Sequence, residues 1–164
     1  MFSNLTGIEI VIVLVTLLIS VGIHEAMHAY AGHQLGDTTA ADEGRLTLNP
    51  LKHIDRITTI LLPAIMIMLH LPPILAAKPV PFDPTRVRYG EYGAAILAMA
   101  GPFSNLALAA LAAIAVNFGI FGTGAQDGLL IFMTINVALF VFNMLPIPPL
   151  DGSRLVYAFA PEPV

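Results

Sequence analysis

Charged side chains in this 164-residue chain stand far apart. Fifteen uncharged residues separate Glu9 from Glu25, 21 separate Arg56 from Lys78, 35 separate Glu91 from Asp127, and 23 separate Asp127 from Asp151. A helix that crosses a bilayer needs about 20 consecutive, mostly apolar residues. The gaps therefore have room for three or four membrane segments. Composition agrees: 57% of residues are hydrophobic and 11% charged, against roughly 25% charged in a soluble domain. High hydrophobicity with few charges excludes a disordered chain. Seven Lys/Arg against eleven Asp/Glu, a net charge of −4, leave no basic footprint for nucleic acid. The absence of cysteine excludes disulfides and thiolate metal sites.

A first helix is expected over about residues 5–35, ended by Gly36-Asp37. No basic residue precedes its apolar run, and the run leads directly into polar residues, so it does not read as a signal peptide. A polar connector, 37–56, follows. Within it Arg45-Leu46-Thr47-Leu48-Asn49 alternates and reads as a short strand closing at Pro50. Residues 57–77 are apolar but cut by Pro63, Pro72 and Pro73. A Pro-punctuated connector, 78–88, leads into a long helix over about 92–121, and a last helix spans about 129–144.

The basic residues decide how these segments cross. If 57–77 dips in and returns to the same face, Arg45, Lys52, Arg56, Lys78, Arg86, Arg88 and Arg154 all lie on one side. If it crosses once, the last four move opposite the first three. The positive-inside rule favours the first arrangement, with that side cytoplasmic, and three prolines suit a broken, re-entrant segment. The expected fold is an all-α polytopic membrane protein in the lipid bilayer. It has about three full transmembrane helices, a re-entrant segment and a short membrane-associated β element. The first and last spans then both run toward the cytoplasm, which brings residues near 24–28 and near 151 to one depth.

His24-Glu25-Ala26-Met27-His28 is an H-E-x-x-H sequence on a predicted helix. The i, i+4 spacing puts both imidazoles on one face, where two neutral nitrogens can bind one zinc. Glu25 is placed to take the proton of an attacking water. The bland alternative is two interfacial histidines beside a solvated glutamate, but ionisable residues beside an apolar run are costly without a function. A catalytic zinc needs a third protein ligand and an open position. His33, His53, Asp55, His70 and Asp151 are the candidates. Asp151 is favoured, because the topology returns it to the depth of the histidines and Pro146, Pro148 and Pro149 break the helix before it. Taken alone, Asp151-Gly152 would be an ordinary turn.

Three stretches now carry a resemblance. His24–His28, Gly101-Pro102-Phe103-Ser104-Asn105, and Asn143-Met144-Leu145-Pro146-Ile147-Pro148-Pro149-Leu150-Asp151-Gly152 resemble the three motifs of the site-2 protease family of intramembrane zinc metalloproteases. Gly44-Arg45-Leu46-Thr47-Leu48-Asn49-Pro50 and Ala77-Lys78-Pro79-Val80-Pro81 resemble its small, minimal prokaryotic branch. The match runs from about residue 10 to 157. The resemblance implies that His24, His28 and Asp151 hold one zinc per chain and that Glu25 activates the water. It also implies that Asn105 lies near the active site and contacts the substrate or intermediate, with Asn143 doing likewise. The bland reading of both asparagines is helix–helix hydrogen bonding. Related small members commonly have Pro and Gly where this chain has Arg56 and Thr58. Many also continue past the Asp-Gly motif into a further helix, whereas this chain stops at Pro163-Val164. It is therefore read as one core domain over 1–164, either short by nature or a fragment lacking that helix.

The expectation is an intramembrane zinc endopeptidase that hydrolyses transmembrane segments of membrane proteins, as in regulated intramembrane proteolysis. Loops 36–56 and 78–91 and the active-site end of the helices would face the cytoplasm of a prokaryotic cell. An extended substrate would pair with the edge of the 45–49 strand. The alternatives are a non-proteolytic membrane metal-binding or transport protein, and a non-catalytic scaffold. Glu25 speaks against both, since binding zinc needs no base there.

Overall fold

A computed structural model of the chain describes residues 6–53, 55, 61, 65–66, 68–69 and 79–159. Helix α1 covers Gly7–Gln34. Its start is written in Thr6 and Glu9: the Glu9 N–H donates to Thr6 Oγ1 at 3.3 Å and the Thr6 N–H to Glu9 Oε2 at 2.7 Å, a reciprocal capping box. It ends where expected, with Gly36 at φ 101°, a conformation glycine adopts without penalty. The short α2, Thr39–Asp42, and a 3₁₀ turn, Pro50–His53, follow. Then come α3 (Gly90–Asn117), a 3₁₀ turn (Thr123–Ala125), α4 (Gln126–Asn143) and α5 (Gly152–Phe159).

Helices α1, α3 and α4 are long and apolar enough to cross a membrane, which are the three full spans expected. They run up, down and up. Ser20 lies beside Asn105, and eight residues further along α1 His28 lies beside Leu97, eight residues back along α3. Lipid offers no hydrophobic drive for helices to associate, so close packing of small residues and polar contacts do that work. Accordingly α3 buries Ala94, Ala95, Ala98, Gly101, Ala109 and Ala112, while Leu111, Ile114, Val137 and Val141 face outward.

The expected β element does not form: among the described residues there is no strand. The Thr47 N–H donates to the Arg45 carbonyl at 2.9 Å and the Asn49 N–H to Thr47 Oγ1 at 3.1 Å. Such local bonds compete with a ladder, and the Arg45 guanidinium reaches instead to the Pro79 carbonyl at 2.9 Å. The expected re-entrant segment, 57–77, lies outside the described residues apart from 61, 65–66 and 68–69. Its described flanks both sit beside the C-terminal half of α1: Pro50 abuts Gly22, and Val80 reaches Glu25. The short α5 begins directly after Asp151, and its Phe159 ring packs on Tyr92 of α3, centroids 5.9 Å apart.

Residues 79–88 form a strap back across the end of α1. Asp37 holds it. This buried carboxylate accepts from the Thr39 N–H at 3.0 Å, the Thr39 hydroxyl at 2.5 Å and the Asp83 N–H at 2.9 Å. The Arg88 N–H adds a bond to the Leu35 carbonyl at 2.9 Å.

Burial works to raise the Asp37 pKa, but the donors outweigh it and hold the carboxyl below its usual value. A depressed folded-state pKa contributes stability that is present above the unfolded value, about 3.9, and is lost as pH falls through the folded one. Limited proteolysis within 79–88 should therefore stay low from pH 8 to pH 5 and rise only in stronger acid. Asp37→Ala should raise it at neutral pH, the loss costing about 1–3 kcal/mol for stranded buried donors.

Candidate metal centre and its cavity

His24 and His28 are one turn apart on α1 and both are buried. The Nδ1 of His28 lies 2.9 Å from the Leu97 carbonyl, which can only accept, so this Nδ1 carries the proton. The Nδ1 of His24 lies 2.7 Å from Asn105 Oδ1. That amide is oriented by its other end: its Nδ2 donates to the Ser20 carbonyl at 3.3 Å and to Asn136 Oδ1 at 3.0 Å. Because a carbonyl cannot donate, the Asn105 nitrogen faces Ser20 and its oxygen faces His24. In the neutral imidazoles both Nε2 atoms are then lone pairs. They face one another at 3.0 Å, and Asp151 Oδ2 lies 3.1 Å from one and 3.4 Å from the other.

Asp151 arrives from a folded-back loop after α4. Bonds from Ile147 to Leu145, Leu150 to Ile147 and Ser153 to Leu150 tighten it into successive turns. Gly152 makes the fold-back possible, because a Cβ there would run into Met144 and Leu145. Gly101 of α3 stands against the ligand atoms themselves: a Cβ there would collide with the Nε2 atoms of both histidines.

Two imidazole lone pairs and a carboxylate oxygen that face each other this closely repel unless a cation lies between them. The three ligand atoms all fall within 4.8 Å of one another. Their spacings match the edge of a tetrahedron, about 3.3 Å, around an ion with bonds of 2.0–2.1 Å. Two imidazoles, one carboxylate and no thiolate suit zinc, with one position left open. The residues fit the ion.

Glu25 borders the same cavity, of about 580 Å³. Its Oε2 accepts the Val80 N–H at 2.9 Å. Pro79 and Pro81 carry no N–H, so this is the one backbone donor in the Pro79-Val80-Pro81 run. Phe82 of the strap and the end of α4 complete the walls, and the Arg154 guanidinium of α5 lies 5.1 Å from the centre of the Phe82 ring.

The structure brings His24, Glu25, His28 and Asp151 together as the sequence suggested. Asn143 lines the cavity, with its Nδ2 donating to the Leu139 carbonyl at 3.0 Å. Asn105 differs from expectation. It is fully buried behind His24, with its oxygen and nitrogen engaged, and does not border the cavity. Residues 45–49 do not border it either; that wall is the strap. Of the other ligand candidates, His33 is exposed and His53 is buried with Nε2 on the Thr47 carbonyl at 3.0 Å. Asp55 is outside the cluster of potential ligands, and His70 lies outside the described residues. Sequence reasoning missed Ser20, Asn136, Val80 and the reason for Gly101. Spacing held a signal for two of them: Ser20 is one turn before His24, and Asn136 two turns before Asn143.

No profile of a known protein family matches the chain, and no solved structure matches it. The chain is 36% identical over 163 residues to "Putative zinc metalloprotease YwhC" of Bacillus subtilis, a match covering 92% of this chain and 69% of that protein. It is 32% identical over 147 residues to "Putative zinc metalloprotease Rip2" of Mycobacterium tuberculosis. Rip2 of Mycolicibacterium smegmatis is 29% identical over 150 residues. The chain spans about half the length of the Rip2 proteins, 54% in each case.

Gly101→Ala puts a methyl group where the ligand nitrogens stand. Bound zinc, measured by elemental analysis of purified protein, should fall from about one ion per chain to near none, with helical content by circular dichroism unchanged.

Proposed function

The chain belongs to the site-2 protease family of zinc metalloproteases, and we propose that it is an intramembrane endopeptidase that cleaves transmembrane segments of membrane proteins, as in regulated intramembrane proteolysis. One observation carries this reading. A three-ligand cluster and a glutamate border one cavity at the core of helices of membrane-spanning length.

His24, His28 and Asp151 hold one zinc. When bound, the ion supplies Lewis acidity, lowering the pKa of water and polarising the scissile carbonyl. Glu25 takes the proton of the attacking water on its carboxylate and delivers it to the departing amine. The Val80 N–H holds one oxygen of the Glu25 carboxylate at 2.9 Å, on the wall of the cavity. Asn143, on the cavity wall, donates to the oxygen on which charge develops. Asn105 acts as a positioning residue, through the tautomer of His24. The substrate enters as a locally unwound transmembrane helix, because a helical carbonyl is already hydrogen-bonded within its own segment.

The described basic residues outside the spans lie in segments that meet the site half of α1 or the cavity: Arg45 on the Pro79 carbonyl, Lys52 in the turn whose Pro50 abuts Gly22, Arg86 and Arg88 in the strap bonded to Leu35, and Arg154 on the cavity wall. By the positive-inside rule the end of the bundle that holds the site faces the cytoplasm of a prokaryotic cell.

Two variants test the chemistry on purified protein with a panel of membrane-segment substrates. Glu25→Gln should keep one zinc per chain and lose about 10²–10⁴-fold in kcat. Cleavage surviving in Glu25→Gln would overturn the mechanism, and a zinc-loaded wild type that cleaves no member of the panel would favour a binding or transport protein. Val80→Pro removes the amide on Glu25 and should lower kcat about tenfold with KM and zinc content unchanged.

A further inference from the structure

Helix α4 has one buried residue, and it is polar: Asn136, fully buried, on an 18-residue helix whose apolar side chains otherwise remain accessible. Its amide is committed at both ends. The Nδ2 donates to the Phe132 carbonyl at 2.9 Å and to Ser20 Oγ at 2.9 Å, while Oδ1 accepts from Asn105 Nδ2 at 3.0 Å. The Phe132 carbonyl only accepts, so the nitrogen must face it and the oxygen must face Asn105. Ser20 and Asn105 are fully buried too. Three helices thus meet at a closed set of amides and a hydroxyl in which each orientation is dictated by the next.

We infer that Asn136 is a positioning residue of the metal centre: by accepting from Asn105 it holds Asn105 Oδ1 on His24 Nδ1–H, and so keeps the His24 Nε2 lone pair turned toward the metal site. The inference rests on the zinc reading proposed above. The physical reason is directional. Turned over, the Asn105 amide would point an N–H group at His24 and force its proton onto Nε2, where it blocks a ligand position. Two acceptors resist that flip, the Ser20 carbonyl at 3.3 Å and Asn136 Oδ1 at 3.0 Å. The shorter bond comes from Asn136. Within lipid no water is at hand to replace it. Groups behind a metal-bound imidazole commonly change metal affinity by 10- to 100-fold when removed. Asn136, one step further back, should account for about tenfold.

The ordinary alternative is that Asn136 merely fastens α4 to its neighbours. A double-mutant comparison separates the two. Zinc affinity is measured by competition with a chelating dye for wild type, Asn136→Leu, Asn105→Ala and the double variant, with thermal stability followed in parallel. Asn136→Leu should weaken zinc about tenfold. In the Asn105→Ala background it should weaken zinc no further, although the stability losses accumulate. Asn136→Asp, which keeps an acceptor for Asn105 in either protonation state, should bind zinc within a few-fold of wild type. Should Asn136→Leu not fold, Asn136→Ala reads the same quantities.

A second readout needs no metal. Nitrogen-15 NMR of histidine-labelled, metal-free protein, at a pH where the imidazoles are neutral, should show His24 as the Nδ1–H tautomer in wild type and in Asn136→Asp. In Asn136→Leu it should show a mixture. An unchanged tautomer in Asn136→Leu, or zinc losses that add fully in the double variant, would overturn the inference. A wild type that binds no zinc yet shows the predicted tautomer shift would overturn the zinc reading and leave the role of Asn136 intact.

Discussion

The hydrogen bond from His24 Nδ1 to Asn105, 2.7 Å long and sealed from solvent, is the interaction on which the rest of the site turns. Inside lipid a polar group has no water to fall back on, so each one must meet a partner of the right sense. That requirement converts a helix-packing problem into a chemical one. Once the Ser20 and Phe132 carbonyls orient their amides, the tautomer of His24 follows. Once the Leu97 carbonyl accepts from His28, so does the second. The centre is thus prepared for a cation by acceptors that are mostly backbone.

A second constraint is steric. A helix and a loop can present ligands to one point against α3 only if the backbones there come very close. Gly101 and Gly152 are the two places where a Cβ would fill space that the ligand atoms, or the loop carrying one, already occupy. Pro102 beside Gly101 lacks the N–H that would close the helix onto the Ala98 carbonyl. Both residues make poor helix interior in water, but the centre depends on the room they leave.

Much of this was legible in the chain. Long charge-free runs located the three spans to within a few residues, and His24, Glu25 and His28 declared themselves by their i, i+4 spacing. Asp151 followed from topology, since an odd number of helices returns it to the histidines. What the sequence did not disclose depends on partners remote along the chain. Asn136 looks like a stray amide in an apolar helix until Ser20 and Asn105, 116 and 31 residues away, are placed beside it. Residues 45–49 alternate as a strand would, but alternation says nothing about whether a partner strand exists. Arg45 turned out to support the Pro79 carbonyl instead. Asn105 was noticed for the right neighbourhood and given the wrong neighbour, because a motif carries no information on which way an amide faces.

The site is built in two halves of different firmness. The two histidines and the amides behind them lie within α1, α3 and α4, cross-linked by buried bonds of 2.7–3.3 Å, and Asp151 joins them from the loop after α4. The opposite wall belongs to the strap, which is joined at a few points: Val80 to Glu25, Arg45 to the Pro79 carbonyl, Asp83 to Asp37, and Phe82 beneath Arg154. Opening that wall would leave the ligand set untouched but would release Glu25, the one group of the centre that it holds. Metal retention and base orientation therefore rest on separate sets of bonds.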